Sequence, residues 1–307
     1  MLVAFLGNDR WSVPSLEALV DSSHQVVAVA TRVPRPAGRG GALRPTPVAE
    51  AAQRLHQPLS EVETVKHGPG FEVLRDGTPD VLAVVAYGEI LPPEVLEIPR
   101  VAPVNLHFSL LPALRGADPV RRAILQGIET TGVTTIRMDE GMDTGPILLQ
   151  EEVPIAPRED AGSLGDRLSV LGGGLLVETL DGLEAGTVAP RPQDHDRATL
   201  APKLRPEDEW IDWADDADAV DRRVRALSPD PGARTRFRGK VLKVLRVGTA
   251  GASGEPGTFL DPAADLPVVA AGSGAVVLER VTPEGSRPMS GGDFARGHRP
   301  QPGERLG

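Results

Sequence analysis

The stretch from Leu2 to Ala30 reads LVAFLGNDRWSVPSLEALVDSSHQVVAVA. A short apolar run closes at Gly7, helical periodicity follows over Val13–Val20, and a second apolar run fills Gln25–Ala30. A strand, a helix and a strand in this order form the βαβ unit of a parallel sheet. The stretch therefore predicts an α/β fold built on a Rossmann-like parallel sheet.

Further apolar segments extend this sheet along the chain. Val81–Ala86 contains no polar residue, which is typical of a strand that is covered on both faces. The phosphate-binding glycines of dinucleotide-binding proteins do not follow Gly7, so we do not expect that type of site. We predict further strands at Ala102–Leu106, Thr131–Met138 and Pro146–Val153, and helices at Thr46–Leu55, Pro119–Gln126 and Leu164–Ala185.

The last third of the chain changes in character. Thr187–Pro206 is polar and rich in proline, and a predicted helix at Asp216–Leu227 precedes several short β-like runs with glycine turns. Such runs predict a small OB-like β-barrel. We assign residues 1–188 to a catalytic α/β domain, residues 189–205 to a linker and residues 206–307 to the barrel. The predicted barrel strands are Ala233–Phe237, Lys240–Val247, Val268–Ala270 and Ala275–Arg280.

The composition excludes several kinds of chemistry. The 307 residues include no cysteine and six scattered histidines, so we expect neither disulfides nor a bound metal. No apolar run approaches the ~20 residues of a membrane span, and the expected location is the cytoplasm. The formal net charge is −10, yet nine basic residues lie between Arg222 and Arg246 against the single acid Asp230. This basic strip indicates either a polyanion-binding surface or a solvated face.

The candidate catalytic residues are an amide, an imidazole and a carboxylate. Asn105 and His107 are two residues apart, so on a strand they point to the same face. Asp143 follows His107 by 36 residues, which suits one helix and one further strand that returns to the same sheet edge. Taken singly, each residue is more often a satisfied polar group or a turn former. Together they predict chemistry at an acyl carbonyl without a metal.

These residues, with Ser109-Leu110-Leu111-Pro112 and Arg115-Gly116, resemble the formyltransferases that use 10-formyltetrahydrofolate. The resemblance implies that Asn105 and His107 donate hydrogen bonds to the oxygen of a tetrahedral intermediate. It also implies that Asp143 accepts the proton of the attacking amine. The segment from Ala86 to Pro92 is similar to the part of the family that holds the pterin ring of the folate. The implied folate-binding residues are Tyr87, Gly88, Glu89, Ile90, Leu91, Ser109, Leu110, Leu111 and Pro112.

The chain is most similar to the members of this family that act on methionyl-tRNA. Arg35-Pro36-Ala37-Gly38-Arg39-Gly40 resembles their loop toward the tRNA acceptor stem, and Ile211-Asp212-Trp213 and Gly291–Gly297 resemble their C-terminal domain. Shorter folate formyltransferases lack that domain. The resemblance implies a monomer that formylates initiator methionyl-tRNA for translation initiation. The tRNA-binding residues that it implies are Arg39, Arg234 and Arg236.

Three departures from the family leave alternatives open. Gly41-Ala42 stands where many members have two lysines, Asp118 stands beside the site, and Asp230 replaces a usual tryptophan. A formyltransferase for an amino sugar nucleotide or another small amine is one alternative. A tRNA- or folate-binding protein without turnover is the other, although binding alone needs no base such as Asp143. Arg115 is predicted either to contact the tRNA end or to hold its own loop.

Overall fold

The computed structural model of the protein describes residues 1–37 and 41–307, in which the backbone forms two units. The first unit comprises Met1–Pro119, Thr130–Pro154 and Gly165–Pro202. Two internal segments, Val120–Glu129 and Ile155–Leu164, join Lys203–Gly307 in the second unit. The division between the units therefore does not fall at a single point of the chain.

The secondary structure alternates strands and helices before it becomes mainly β. The strands are β1 (Leu2–Gly7), β2 (Gln25–Arg32), β3 (Arg35–Ala37), β4 (Ala42–Arg44), β5 (Leu59–Val62), β6 (Val81–Val85), β7 (Ala102–His107), β8 (Thr130–Arg137), β9 (Ile147–Pro154), β10 (Ala233–Phe237), β11 (Lys240–Ala250), β12 (Phe259–Ala263), β13 (Leu266–Ala270), β14 (Ala275–Pro283) and β15 (Met289–Ser290). The α-helices are α1 (Val13–Val20), α2 (Pro47–Arg54), α3 (Gly68–Asp76), α4 (Pro93–Leu96), α5 (Pro119–Leu125), α6 (Ala161–Ala185), α7 (Ala217–Leu227) and α8 (Gly291–His298).

A seven-stranded sheet forms the centre of the first unit, in the order β5-β2-β1-β6-β7-β8-β9. The pairs from β5 to β7 are parallel, which confirms the predicted Rossmann-like α/β fold. All five residues of β6 are buried, as its uniformly apolar sequence predicts. Helix α2 begins where the Thr46 hydroxyl accepts a hydrogen bond from the Ala49 amide at 3.0 Å, and Pro47 occupies its first turn.

The last two strands of this sheet run in the opposite sense. In the antiparallel pairing of β7 with β8, His107 lies opposite Thr134 and Val104 lies opposite Arg137. Strand β8 therefore ends near the start of β7, away from the edge at which His107 emerges. We predicted that this strand ends at the same sheet edge as His107, and this prediction is wrong because β8 runs in the opposite direction. The loop after β8 has to fold back to bring Asp143 near His107.

The second unit contains an antiparallel, barrel-like sheet in the order β10-β11-β14-β13-β12, with β15 paired to β14. This arrangement confirms the predicted C-terminal β domain. Its core includes Phe237, Phe259 and Phe294, and the Phe237 ring lies 5.7 Å and 5.4 Å from the other two ring centroids. Helix α7 buries Val220 and Val224 in the same core. In the described parts of the chain, no helix is long and apolar enough to cross a membrane.

Candidate active site

Strand β7 presents Asn105 and His107 at its carboxyl end. Their neighbours along the strand, Val104 and Leu106, are buried in the sheet. The Asn105 side chain is half-buried, and within residues 1–37 and 41–307 its amide makes no hydrogen bond, so that its oxygen is buried without a partner. Because buried polar groups in folded proteins are normally paired, this amide is available for a ligand.

The imidazole of His107 has two different neighbours. Its Nε2 lies 2.9 Å from the carbonyl oxygen of Leu114, and its Nδ1 lies 3.6 Å from Oδ2 of Asp143. A carbonyl oxygen can only accept, so the proton resides on Nε2. The distance from Nδ1 to the Asp143 carboxylate is longer than a hydrogen bond. Nδ1 is therefore the ring nitrogen that can form a hydrogen bond with a substrate atom. A proton on Nδ1 would lie between the imidazole and the carboxylate.

Asp143 reaches His107 from the loop between β8 and β9. Its backbone adopts a left-handed conformation with φ of 56°, and its Oδ2 accepts a hydrogen bond from the Gly116 amide at 2.8 Å. The loop passes so close to β8 that a Cβ at Gly145 would lie 1.9 Å from the carbonyl oxygen of Arg137. The glycine at this position therefore permits the fold-back that the antiparallel strand requires.

The loop that follows His107 is held by its own polar groups. The Ser109 hydroxyl donates to the carbonyl of Ala113 at 2.6 Å, and the Thr134 hydroxyl donates to the carbonyl of Ser109 at 2.6 Å. Leu111 is buried, whereas Leu110 and Pro112 are half-buried. Of the predicted folate-binding residues in this loop, Ser109 and Leu111 thus support its shape, and Leu110 and Pro112 retain exposed surface.

The segment from Tyr87 to Leu91 also contains both buried residues and residues with exposed surface. Tyr87 and Leu91 are 2% exposed, and burial followed by the nearby Glu89 carboxylate raises the pKa of Tyr87 to about 12. Glu89 is paired with Arg32 at 3.2 Å. By contrast, the large apolar side chain of Ile90 is 66% exposed. Gly88, two residues earlier, has a left-handed backbone with φ of 80°. An aromatic ligand ring would contact Ile90 and the Gly88 backbone most readily.

Arg115 lies inside the first unit, although sequence left its role open. Its side chain is 7% exposed, and its guanidinium donates to Oε1 of Gln193 at 2.6 Å and 3.1 Å. Its backbone amide donates to the carbonyl of Thr199. Arg115 therefore holds its loop rather than a surface ligand. Sequence reasoning did not single out Gln193, which lies in the stretch predicted as a linker, and nothing in its local pattern marks it.

The tRNA-binding residues predicted for the second unit differ in their surroundings. Both Arg234 and Arg236 lie on the non-core face of β10, but Arg234 forms an ion pair with Glu209 at 2.8 Å. Arg236 is exposed, and its guanidinium lies 5.1 Å from the centroid of the Trp210 ring. Its charge is less compensated than that of Arg234. Arg39 lies outside the described residues.

One group of side chains in the described ranges has the spacing of metal ligands. Donor atoms of His24, Asp181 and Glu184 lie within 4.8 Å of one another. The amino group of Met1 lies 3.2 Å from Nδ1 of His24 and 3.4 Å from Oε1 of Glu184, so an ammonium cation already neutralises part of this group. None of these residues belongs to the Asn105, His107 and Asp143 trio.

Both parts of the chain match one protein family. The formyl transferase family matches residues 1–180, and the C-terminal domain of formyl transferases matches residues 203–299. The chain therefore belongs to the formyl transferase family and is an enzyme, which confirms the resemblance seen in its sequence.

Similar proteins narrow this class. The methionyl-tRNA formyltransferase of Methylobacterium nodulans is 45% identical to the chain, over 99% of the chain and 98% of that protein. The solved structure of a methionyl-tRNA formyltransferase from Clostridium thermocellum shares the fold, with a TM-score of 0.57 at 17% identity over 81% of this chain and 93% of that one. An N-formyltransferase from Helicobacter canadensis, in complex with folinic acid and dTDP-3-aminofucose, shares it with a TM-score of 0.65 at 16% identity over 91% and 99%.

Proposed function

We propose that the protein transfers the formyl group of 10-formyltetrahydrofolate to the amino group of initiator methionyl-tRNA, which yields N-formylmethionyl-tRNA for translation initiation. The observation that carries the proposal is the approach of Asp143 to His107 at 3.6 Å, at the end of the strand that also carries Asn105, in a member of the formyl transferase family. Similarity to methionyl-tRNA formyltransferases over nearly the whole chain, including the C-terminal domain, supports tRNA as the acceptor. We place this monomeric enzyme in the cytoplasm, with catalysis in residues 1–188 and tRNA docking in residues 206–307.

The chemistry needs a donor for the developing oxyanion and a base for the amine. The amine nitrogen attacks the formyl carbon, so a C–N bond forms and the formyl oxygen gains negative charge. The free amide of Asn105 and the doubly protonated imidazole of His107, which carries its second proton on Nδ1, stabilise that charge. Asp143 takes the proton that the amine loses, directly or through a water molecule. The bond to N10 then breaks as that nitrogen receives a proton.

The folate is proposed to bind along the two segments that retain exposed surface. Ile90 and the backbone of Gly88 contact the pterin ring, while Tyr87, Glu89 and Leu91 hold the segment in place. The loop of Ser109, Leu110, Leu111 and Pro112 borders the formyl group, because it follows directly on His107. No metal takes part in this scheme, since the trio supplies both the oxyanion donors and the base.

Substitution of Arg39 tests whether the formyl acceptor is tRNA or a small amine. We expect Arg39→Ala to slow formylation of methionyl-tRNA about 10- to 100-fold, the scale of one lost charge-assisted contact to phosphate. Hydrolysis of 10-formyltetrahydrofolate by water should be unchanged. Arg54→Ala, which removes an exposed charge on α2, is the matched control and should formylate tRNA normally. Wild-type tRNA kinetics for Arg39→Ala, together with efficient formylation of an amino sugar nucleotide, would favour the small-amine alternative.

Charge reversal on β10 tests the C-terminal docking surface. We expect Arg236→Glu to raise the KM for tRNA more than Arg234→Glu, because Glu209 already compensates Arg234. Both effects should shrink as salt rises, since phosphate contacts release counterions. Arg75→Glu changes the net charge equally, at an exposed residue of the first unit, and should have little effect. Kinetics that are flat across both variants and all salt concentrations would remove β10 from the docking surface.

The amino sugar alternative remains a defined competitor. The Helicobacter canadensis protein shows that the same fold accommodates a dTDP-amino sugar. The sequence resemblance also left Gly41-Ala42, Asp118 and Asp230 as departures from the family pattern. Asp118, however, is only 5% exposed. A direct competition between methionyl-tRNA and an amino sugar nucleotide as acceptors decides between the two.

A further inference from the structure

Gln193 connects a buried arginine to the backbone of the catalytic loop. The side chain is 6% exposed, and its Oε1 accepts two hydrogen bonds from the guanidinium of Arg115. Its Nε2 donates to the carbonyl oxygens of Asp143 at 2.8 Å and Gly145 at 2.7 Å. Both donors and both lone pairs of the amide are therefore used.

The chemistry of these partners fixes the orientation of the amide. A guanidinium can only donate and a carbonyl oxygen can only accept, so exchanging Oε1 and Nε2 would lose all four hydrogen bonds. The bonds from the positive Arg115 also polarise the amide, which makes its N–H groups stronger donors to the loop. Gln193 thus acts as a rigid connector from Arg115 to the loop.

Asp143 is held from two sides by neighbouring residues of one segment. The amide of Gly116 binds its carboxylate at 2.8 Å, and Arg115, the preceding residue, binds its carbonyl through Gln193. The left-handed backbone of Asp143, with φ of 56°, is a conformation that non-glycine residues adopt only when their surroundings enforce it. The connector and the Gly116 amide together set where the carboxylate stands relative to Nδ1 of His107.

We propose that Gln193 is a positioning residue for formyl transfer, which is anchored by Arg115 and fixes the backbone of Asp143 directly; this inference rests on the proposed role of Asp143 as the base. Gln193 itself touches no substrate in this scheme. Its loss lets the carboxylate move away from the attacking amine while the folate-binding segments keep their shape. The effect therefore falls on the chemical step, since misplacement of a catalytic group by even about 1 Å is costly.

The test uses the full-length protein and Gln193→Met, which keeps the length of the side chain and removes its hydrogen bonds. We expect kcat for methionyl-tRNA to fall about 10- to 100-fold, with the KM for 10-formyltetrahydrofolate changed less than about 3-fold. Gln57→Met is the matched control, because the Gln57 amide also donates to a backbone carbonyl, that of Leu55, away from the trio. It should keep wild-type kcat. If Gln193→Met does not fold, Gln193→Glu takes its place, because it keeps the acceptor for Arg115 and removes both donors.

A double-mutant cycle with Asp143→Asn separates positioning from a merely structural role. If Gln193 acts through Asp143, the Gln193 change should have almost no further effect once the base is gone. Losses that multiply in the double variant, or a Gln193→Met enzyme with wild-type kcat, would overturn the inference. The failure of the proposed function looks different, since in that case Asp143→Asn alone would remain active.

Discussion

Asp143→Asn is expected to lower the turnover number for methionyl-tRNA at least ~10²-fold, the low end of the contribution of a general base. The amide keeps the shape of the carboxylate, and its oxygen can still accept the hydrogen bond from Gly116. What it lacks is the capacity to take the proton of the amine and the negative charge beside Nδ1 of His107. Initial rates at saturating substrates measure the effect. Folate binding, which we propose to depend on the Gly88 and Ile90 segment, should persist.

A carboxylate of the same loop provides the control for this prediction. Asp139 accepts hydrogen bonds from the Gly141 amide at 3.0 Å and from the Thr144 hydroxyl at 2.6 Å, and an asparagine oxygen can accept both. Asp139→Asn should therefore turn over near the wild-type rate. Near-normal turnover of Asp143→Asn would show that the base is a different group, and equal losses in both variants would show a general sensitivity of the loop.

Asn105→Ala is expected to lower kcat by about 10²- to 10³-fold, the loss that follows removal of one oxyanion donor. The fold does not use this amide, because its side chain has no hydrogen-bond partner in the described residues. Removing it should therefore leave the melting temperature close to that of the wild type. Steady-state kinetics and thermal unfolding of the same preparations check both expectations.

A shape-matched variant tests whether hydrogen-bond donation is the property that matters at this position. Asn105→Asp keeps the size of the side chain but replaces its N–H groups with a negative oxygen, which would repel the oxyanion. It should be at least as inactive as Asn105→Ala. If Asn105→Asp instead regains a substantial part of the activity, then shape rather than donation is what the reaction requires of this residue.

Elements with a regular hydrophobic pattern were predictable from the sequence. Helix α1 and strand β10 have the predicted bounds, and β6 is shorter than predicted by one residue. Helices α3 and α8 were not predicted, because the glycines of GPGFEVLRD and GGDFARGH indicate turns. In α8, the Ser290 hydroxyl caps the helix at the Asp293 amide, and Phe294 packs into the core. Tertiary packing thus overrides a low intrinsic helix propensity.

The sequence predicted which residues form the candidate site better than it predicted how the fold brings them together. The two-residue spacing of Asn105 and His107 placed them correctly on one strand, since side chains alternate along β-structure. The path by which Asp143 reaches His107 was not predicted correctly, because the spacing of residues does not reveal that β8 is antiparallel to β7. The two contacts that complete the site, the Leu114 carbonyl at His107 and the Gln193 amide at Asp143, arise only from the folded chain.

The most direct test is a transfer assay with purified protein, 10-formyltetrahydrofolate and charged tRNA, followed by mass detection of the aminoacyl group. Initiator methionyl-tRNA should gain one formyl group per methionine, with equal formation of tetrahydrofolate. Elongator methionyl-tRNA and an amino sugar nucleotide are assayed in parallel, and Asp143→Asn provides the inactive reference. No formylmethionine from initiator tRNA, under conditions in which the amino sugar nucleotide is formylated, would contradict the account.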